Sequence, residues 1–257
     1  MSTLLLALCL VAAAAPASRP AVPGSPSTAP SPAAPTASPA APAGDRAELR
    51  ATLERLQKRY DQAKDLRARF SQKYTRAVVG RETVSTGTLT FKKPGKMRWD
   101  YDKPEPRMFL SNGQVLWLFE PEDKQAFKQD LKASQLPAAL AFLMGKGKIT
   151  DEFEVALAPD RRDAQDKPAG KDKPAGRPGD IVLALSPKQP QSTYKSILFV
   201  VDPKEFLVRE SVLVDAQGNT NHFVFDGVEV NTKVADSLFK WSPPAGVRVV
   251  DTNQMGK

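Results

Sequence analysis

Short segments rich in apolar residues recur between residues 78 and 225, some with apolar and polar residues in alternation, and turn-forming residues separate these segments. In one segment Met97, Trp99 and Tyr101 alternate with charged residues, which is the pattern of a strand with one buried face. Asn112-Gly113 lies between two further segments and is a strong hairpin signal. Regularly spaced short strands predict one curved antiparallel sheet, so we expect a mainly β fold with a few helices. The predicted strands are Val78–Phe91 (as two strands joined near Gly80 or Gly87), Met97–Tyr101, Met108–Leu110, Val115–Phe119, Ile181–Leu185, Ile197–Val201, Phe206–Val214 and Asn221–Phe225.

Two segments have helical periodicity. Asp45 is a suitable helix N-cap, and from Leu49 to Phe70 apolar residues recur at spacings of three and four, which predicts one long helix. Leu136–Met144 predicts a short second helix. We expect both helices to cover the open side of the sheet, and the packed region to end at Trp241–Pro244.

The ends of the chain and one internal segment differ in composition from the rest. Leu4–Ala15 is an apolar run of 12 residues, shorter than the roughly 20 needed to span a bilayer, and small residues follow it. We therefore predict a cleaved signal peptide over residues 1–17 and secretion. Residues 18–44, rich in proline and alanine, predict a disordered spacer, and polar residues 159–180 predict a flexible loop. The remaining prediction is one domain over residues 45–250 and a tail over residues 251–257.

Composition argues against several classes of function. The net charge of +8 comes from 37 basic and 29 acidic residues that are interspersed, whereas nucleic-acid binders concentrate their cations, so we expect no nucleic-acid partner. The chain has a single histidine, His222, and a single cysteine, Cys9, so the usual thiol and zinc chemistries lack their residues. Acidic residues are numerous, but their spacing does not indicate a two-carboxylate hydrolase. We predict a protein that is not an enzyme and has no cofactor or metal.

Large flexible and aromatic side chains dominate the positions predicted to face the interior. Such side chains either fill a β-barrel or line a cavity within it, and composition leaves both arrangements open. The predicted inward-facing residues are Met97, Trp99, Met108, Trp117, Phe119, Phe142, Met144, Phe199, Phe223 and Phe225.

Several loose motifs, in this order and spacing, resemble those of the outer-membrane lipoprotein carrier (LolA) family. The resemblance extends from about residue 46 to residue 250. The segments that carry it are Tyr60–Gln72, Gly87–Trp99, Ser111–Trp117, Phe142–Gly145, Asp215–Asn219 and Phe239–Val247.

The resemblance implies an incomplete β-barrel with a helical lid over a hydrophobic cavity. It also implies a monomeric periplasmic carrier that takes lipoproteins by their acyl chains from an inner-membrane transporter to an outer-membrane acceptor. Many family members have arginine before the proline of the second motif, where it bonds to the lid, and this chain has Lys93. Lys93 is thus the implied lid latch, in weaker or altered form because lysine lacks the planar fork of arginine.

Two alternatives share the same implied fold. A lipid- or lipoprotein-sensing regulatory module would need a second domain for its partner. An outer-membrane lipoprotein acceptor would need a lipidation cysteine, and Leu8 stands before Cys9 where a small residue is expected.

Overall fold

A computed structural model of the chain describes residues 43–131, 142, 147–158, 176–177, 179–189 and 194–254. The predicted signal peptide, nearly all of the spacer, residues 159–175 of the predicted loop, and Met144 lie outside the described residues. Of the predicted helix Leu136–Met144, only Phe142 is described, and it is helical. None of the helices in these ranges is long and apolar enough to cross a membrane.

The described chain forms one open curved sheet of twelve strands, ordered β12-β6-β5-β4-β3-β2-β1-β11-β10-β9-β8-β7. Neighbouring strands are antiparallel except that β12 pairs with β6 in parallel. The sheet does not close, because β12 and β7 remain at its two edges. This confirms the predicted incomplete barrel. The strands are β1 Asp65–Arg76, β2 Arg81–Lys92, β3 Lys96–Lys103, β4 Arg107–Asn112, β5 Val115–Glu120, β6 Gln125–Asp130, β7 Phe153–Leu157, β8 Ile181–Pro187, β9 Ser196–Val201, β10 Val208–Val214, β11 Thr220–Val230 and β12 Arg248–Asp251.

The first helix is shorter than predicted. Helix α1 spans Ala43–Gln62, and the chain enters strand β1 at Asp65. Leu66 and Phe70, which we assigned to the helix, are on β1, where they pair with strand β2. The prediction was wrong because two residues four apart fit the period of a helix and that of a strand equally well. A second short helix, α2, spans Ile149–Glu152.

The hairpin after β1 also differs from the prediction. Strand β2 is continuous from Arg81 to Lys92, so Val78–Phe91 does not contain two strands, and the turn lies at residues 77–80. Gly87 is inside β2 because the neighbouring backbone comes very close to it. A Cβ at this position would lie 2.0 Å from the carbonyl oxygen of Asp100.

The packed region continues beyond Trp241–Pro244, contrary to the prediction. Residues 236–239 form a 3₁₀ turn, and the chain then adds β12 beside β6. Strand β12 has only four residues, and its alternating pattern is too short to be recognised from the sequence.

Both faces of the sheet are apolar, and a different part of the chain covers each. The inner face, defined here as the face packed against α1, carries the main hydrophobic core. The outer face carries a smaller cluster around Met108 and Leu110, which the C-terminal segment 234–247 covers. The core side chains of β1 to β5 on the inner face are Leu66, Ala68, Phe70, Leu89, Phe91, Met97, Trp99, Tyr101, Phe109, Leu116 and Leu118.

Candidate apolar binding site

An aromatic cluster forms the centre of the inner face. The ring of Trp99 lies 5.1 Å from Phe70, 5.4 Å from Phe223, 6.0 Å from Phe91 and 6.5 Å from Phe225, measured between ring centroids. These residues come from β1, β2, β3 and β11, which are adjacent strands whose inward positions are in register. Edge-to-face and tilted pairs at such distances stabilise the cluster beyond the burial of its area.

Helix α1 lies over this cluster through Leu56 and Tyr60, which are both buried. The ring of Tyr60 also packs 5.1 Å from the ring of Phe142. The hydroxyl of Tyr60 accepts a hydrogen bond of 3.1 Å from the backbone N–H of Val208. Burial raises the pKa of Tyr60 to about 12, so the phenol stays neutral at physiological pH. Helix α1, which we call the cover of the inner face, thus packs through apolar side chains and makes one polar contact with strand β10.

The C-terminal end of α1 is held by Lys93, which lies in the turn between β2 and β3. Its Nζ atom donates to the carbonyl oxygens of Tyr60 at 2.6 Å and Asp61 at 3.0 Å. These carbonyls belong to the last turn of the helix, where carbonyls lack helical partners and carry partial negative charge. Burial lowers the pKa of Lys93, and the nearby Asp61 carboxylate opposes this shift. The backbone N–H of Lys93 also donates to the Lys64 carbonyl, at 2.9 Å.

Asp65, at the start of β1, fixes the chain just below this latch. Its carboxylate accepts hydrogen bonds from the backbone N–H of Thr232 at 2.6 Å, the Thr232 hydroxyl at 2.8 Å and the backbone N–H of Lys233 at 3.1 Å. Desolvation favours the protonated acid, but these hydrogen bonds outweigh it and lower the pKa of Asp65. The start of β1 and the chain after β11 are therefore joined by an ionised carboxylate.

A small gap lies between α1 and the inner face in the part of the chain that the structure describes. A cavity of about 20 Å³ lies beneath Tyr60, lined by Leu66, Ala68, Leu89, Phe91, Val208, Phe225 and Val228. An apolar cavity of about 150 Å³ can hold one benzene molecule, so this gap by itself does not hold a long acyl chain. Among the described residues, Tyr60 thus packs closely against the inner face at this point.

Six of the ten residues predicted to line an interior cavity are brought together on the inner face or its cover. They are Met97, Trp99, Phe199, Phe223 and Phe225 on the sheet, and Phe142 packed against α1. Phe70 and Phe91, which contact Trp99 directly, were not among the predicted site residues. Phe70 was missed because it was assigned to a helix, although its spacing of two from Ala68 and Leu66 also fits a strand.

Met108, Trp117 and Phe119 were predicted to face the interior, and this prediction was wrong. Strand β5 directs Leu116 and Leu118 inward, so Trp117 and Phe119 point to the outer face. There the rings of Trp117 and Phe119 lie 5.2 and 5.1 Å from the ring of Trp241, and Met108 pairs with Phe119 across β4 and β5. Every residue of β5 between 115 and 119 is apolar, so alternation alone does not tell which set faces inward.

The single histidine of the chain makes a buried contact within the sheet. His222 Nε2 lies 2.9 Å from a carboxylate oxygen of Glu210, and both side chains are buried. Among the described residues, no group of three or more histidine, cysteine, aspartate or glutamate side chains is placed to hold a metal ion.

The geometry defines a class of protein: an open half-barrel whose apolar inner face is covered by a helix. The family model described as outer membrane lipoprotein carrier protein LolA matches residues 61–242. An outer-membrane lipoprotein carrier protein of Nitrosospira multiformis is 31% identical over 196 residues, covering 74% of this chain and 84% of that protein. The protein of the same description from Chromobacterium violaceum is 29% identical over 188 residues, covering 73% of this chain and 82% of that protein.

The chain belongs to the outer-membrane lipoprotein carrier (LolA) family. Solved structures with a similar course of the chain are more distant in sequence. An uncharacterized conserved protein from Thermus thermophilus has a TM-score of 0.49 at 10% identity, covering 79% of this chain and 99% of that one. A LolA superfamily protein from Nitrosomonas europaea has a TM-score of 0.39 at 13% identity, covering 75% of this chain and 97% of that one.

Proposed function

We propose that this protein is a periplasmic carrier that binds the acyl chains of lipoproteins against the inner face of its sheet. It receives them from an inner-membrane transporter and delivers them to an outer-membrane acceptor. Membership of the carrier family supports this proposal. The structural observation that carries it is a continuous apolar inner face, centred on Trp99, beneath a helix joined to the sheet at one end in the described chain.

The chemistry required is shielding of apolar chains, without bond breaking. Each buried methylene is worth about 0.8 kcal/mol, so one acyl chain resists leaving a membrane by roughly 10 kcal/mol. An apolar surface that offsets most of this cost lets a lipidated protein cross water. The role is therefore that of a chaperone and not that of an enzyme.

Cargo binding on this proposal requires the cover to move. The gap beneath Tyr60 measures only about 20 Å³ among the described residues, so on this proposal α1 separates from the inner face there. Acyl chains would then replace the helix side chains against the aromatic cluster. Lys93 acts as the latch of this cover, because it joins the last turn of α1 to the turn between β2 and β3.

The test uses Val228, a partly buried residue that lines the gap under Tyr60. The protein is purified from an envelope extract, and bound material is identified by mass spectrometry. We expect lipoproteins with the wild-type protein and none with Val228→Lys, since a charge in the apolar site is costly. Val249→Lys is the matched control, because Val249 is exposed on β12.

Two results would contradict the proposal. One is undiminished lipoprotein binding by a folded Val228→Lys protein. The other is a wild-type protein that never carries lipoprotein and binds only a soluble protein partner, which would favour a sensor of the same fold.

A further inference from the structure

The tip of the β1–β2 hairpin has the most exposed apolar side chains in the described chain. Val78 is 89% exposed, Val79 66% and Val84 55%. Leu238 and Val249 are the other large apolar residues exposed among the described residues, and both are distant from the hairpin in sequence and less exposed than these three. Together these three valines form an exposed apolar patch at one end of the sheet, and apolar patches rimmed by polar residues mark interaction sites.

On the side of β3 this tip extends past the neighbouring strand. Strand β2 pairs with β3 only as far as Thr86, so Arg81–Ser85 extend beyond the last described partner on that side. On the other side, β11 pairs with β1 as far as Thr75. The backbone N–H of Ala77 donates to the side-chain oxygen of Asn219 at 3.0 Å, which supports the base of the tip. The hairpin is therefore a supported projection with a narrow apolar end.

Arginines flank the two valines. Arg76 and Arg81 are directly opposite each other in the last register pair of the hairpin. Like charges in this position repel and destabilise a hairpin, whereas an anionic group between them reverses the effect. Neither arginine has a carboxylate within salt-bridge distance among the described residues, and the nearby Glu82 lies 3.9 Å from Lys73.

An apolar tip flanked by arginines is suited to contact with a membrane interface. In a membrane interface, valines enter the boundary of the acyl chains while arginines contact anionic headgroups. Carboxylates on the β5–β6 turn, from Glu120 to Asp123, are three strands away from β2, a distance of about 14 Å. That exceeds the screening length of about 8–10 Å, so these carboxylates contribute little at the tip. Glu82, which follows Arg81, lies 3.9 Å from Lys73 and offsets part of the charge of that lysine.

We infer that the β1–β2 hairpin tip is a membrane-docking element: Val78 and Val79 enter the interface of an anionic bilayer, and Arg76 and Arg81 bind its headgroups. This goes beyond lipoprotein carriage, because it assigns the protein a direct contact with lipid at a site separate from the inner face. The contact is weak and reversible, since it involves one narrow tip, and a shuttling protein requires such reversibility.

The test measures binding of the full protein to vesicles by flotation. Vesicles of phosphatidylglycerol and phosphatidylethanolamine should bind the protein, and vesicles of phosphatidylcholine should bind it less. V78S/V79S should weaken binding by about tenfold or more, the effect of withdrawing at least one buried valine. R76Q/R81Q should weaken it by about fivefold for each arginine. The matched control is R67Q/R69Q, which removes the same charge from exposed positions on β1 away from the tip.

A second measurement locates the contact directly. A nitroxide attached to Val78→Cys, in a background with Cys9→Ser, should gain collisions with oxygen and lose collisions with a water-soluble nickel complex when vesicles are added. Because Val78 and Val79 are exposed, their variants should keep the wild-type unfolding temperature.

Three outcomes would overturn the inference. The wild-type protein does not bind anionic vesicles, or the tip variants bind as well as the control, or binding at the tip appears only when a membrane protein is reconstituted in the vesicles. The last result would assign the tip to a protein partner. Lipoprotein loading of the same variants is measured separately, so a failure of carriage is distinguished from a failure of docking.

Discussion

Replacing Lys93 with methionine should loosen the cover of the inner face. Methionine keeps an unbranched side chain but removes the ammonium group that donates to the carbonyls of Tyr60 and Asp61. Helix α1 would then lose its charged contact with the turn between β2 and β3. Its apolar packing through Leu56 and Tyr60 would remain, so the protein should still fold.

The size of the effect follows from the two hydrogen bonds. A hydrogen bond to a charged group has a net value of about 1.5–3 kcal/mol when buried. Lys93 is partly exposed, and desolvation of its ammonium lowers its pKa, so we take about 1.5 kcal/mol for the pair. This is about a tenfold change in the ratio of open to closed protein. Since apparent affinity scales with the fraction of the binding-competent state, Lys93→Met should bind acyl chains up to about tenfold more tightly.

Displacement of a fluorescent fatty acid measures this affinity, and transfer of a fluorescent lipopeptide to acceptor vesicles measures release. We expect tighter binding and correspondingly slower release for Lys93→Met. Lys93→Arg should keep the latch, because a guanidinium retains the charge and its planar fork can donate to both carbonyls, so its affinity should not rise above that of the wild type. Lys64→Met is the matched control, since Lys64 is an exposed neighbour. Unchanged affinity in a folded Lys93→Met protein would refute the assignment of Lys93 as a latch.

Three further substitutions test other parts of the structure. Trp117→Ala should lower the free energy of unfolding by about 2–3 kcal/mol through lost packing with Trp241, without changing the affinity for fatty acid; a specific loss of affinity would contradict its placement on the outer face. Asp65→Asn should cost about 2 kcal/mol at neutral pH, measured by urea denaturation. Folding lowers the pKa of Asp65, so its ionised carboxylate contributes fully to the free energy of unfolding above the ordinary value of 3.8. This contribution is lost as pH falls through the lowered value. If wild type and variant still differ in stability at lower pH, the ionised carboxylate is not the cause of the difference. Gly87→Ala should prevent stable folding, since its Cβ would lie 2.0 Å from the Asp100 carbonyl oxygen, and a soluble variant with the wild-type unfolding temperature would show that this contact can relax.

The sheet was predictable because its signals are local. The alternation of Met97, Trp99 and Tyr101 and the turn at Asn112-Gly113 depend on neighbouring residues, and both are confirmed by strands β3 to β5. The end of helix α1 was not predictable in the same way. Leu66 and Phe70 satisfy both periods, and the pairing of β1 with β2 and with the distant β11 decides between them.

The face to which a strand directs each side chain depends on what covers the sheet. In β5 both alternating sets are apolar, so Trp117 and Leu118 were equally good candidates for the interior. Trp117 was predicted to face the interior, whereas its ring packs against Trp241 of the C-terminal segment on the outer face. The position of Lys93 against α1 likewise depends on a distant contact, and its role was suggested by resemblance to the family and not by its spacing.

The two covers differ in how the chain attaches them, and this indicates which one moves. The outer cover lies between β11 and β12, so both of its ends are fixed in the sheet. Asp236 also binds Lys92 and Lys96 at 2.8 and 2.9 Å, and these hydrogen bonds hold the pKa of Asp236 at about 2. The stabilisation of the outer cover by the Asp236 carboxylate is therefore present above pH 3.8 and is lost only as pH falls through about 2.

Helix α1, by contrast, is joined to a described strand only at its C-terminal end, through residues 63–64. Opening should therefore begin at α1 while segment 234–247 stays in place. Hydrogen exchange measured with and without a bound lipopeptide tests this difference. Cargo should change the exchange of α1 amides and leave those of residues 236–239 unaltered. An equal change in both segments would mean that the sheet deforms as a whole, and that separation of α1 is not what admits the acyl chain.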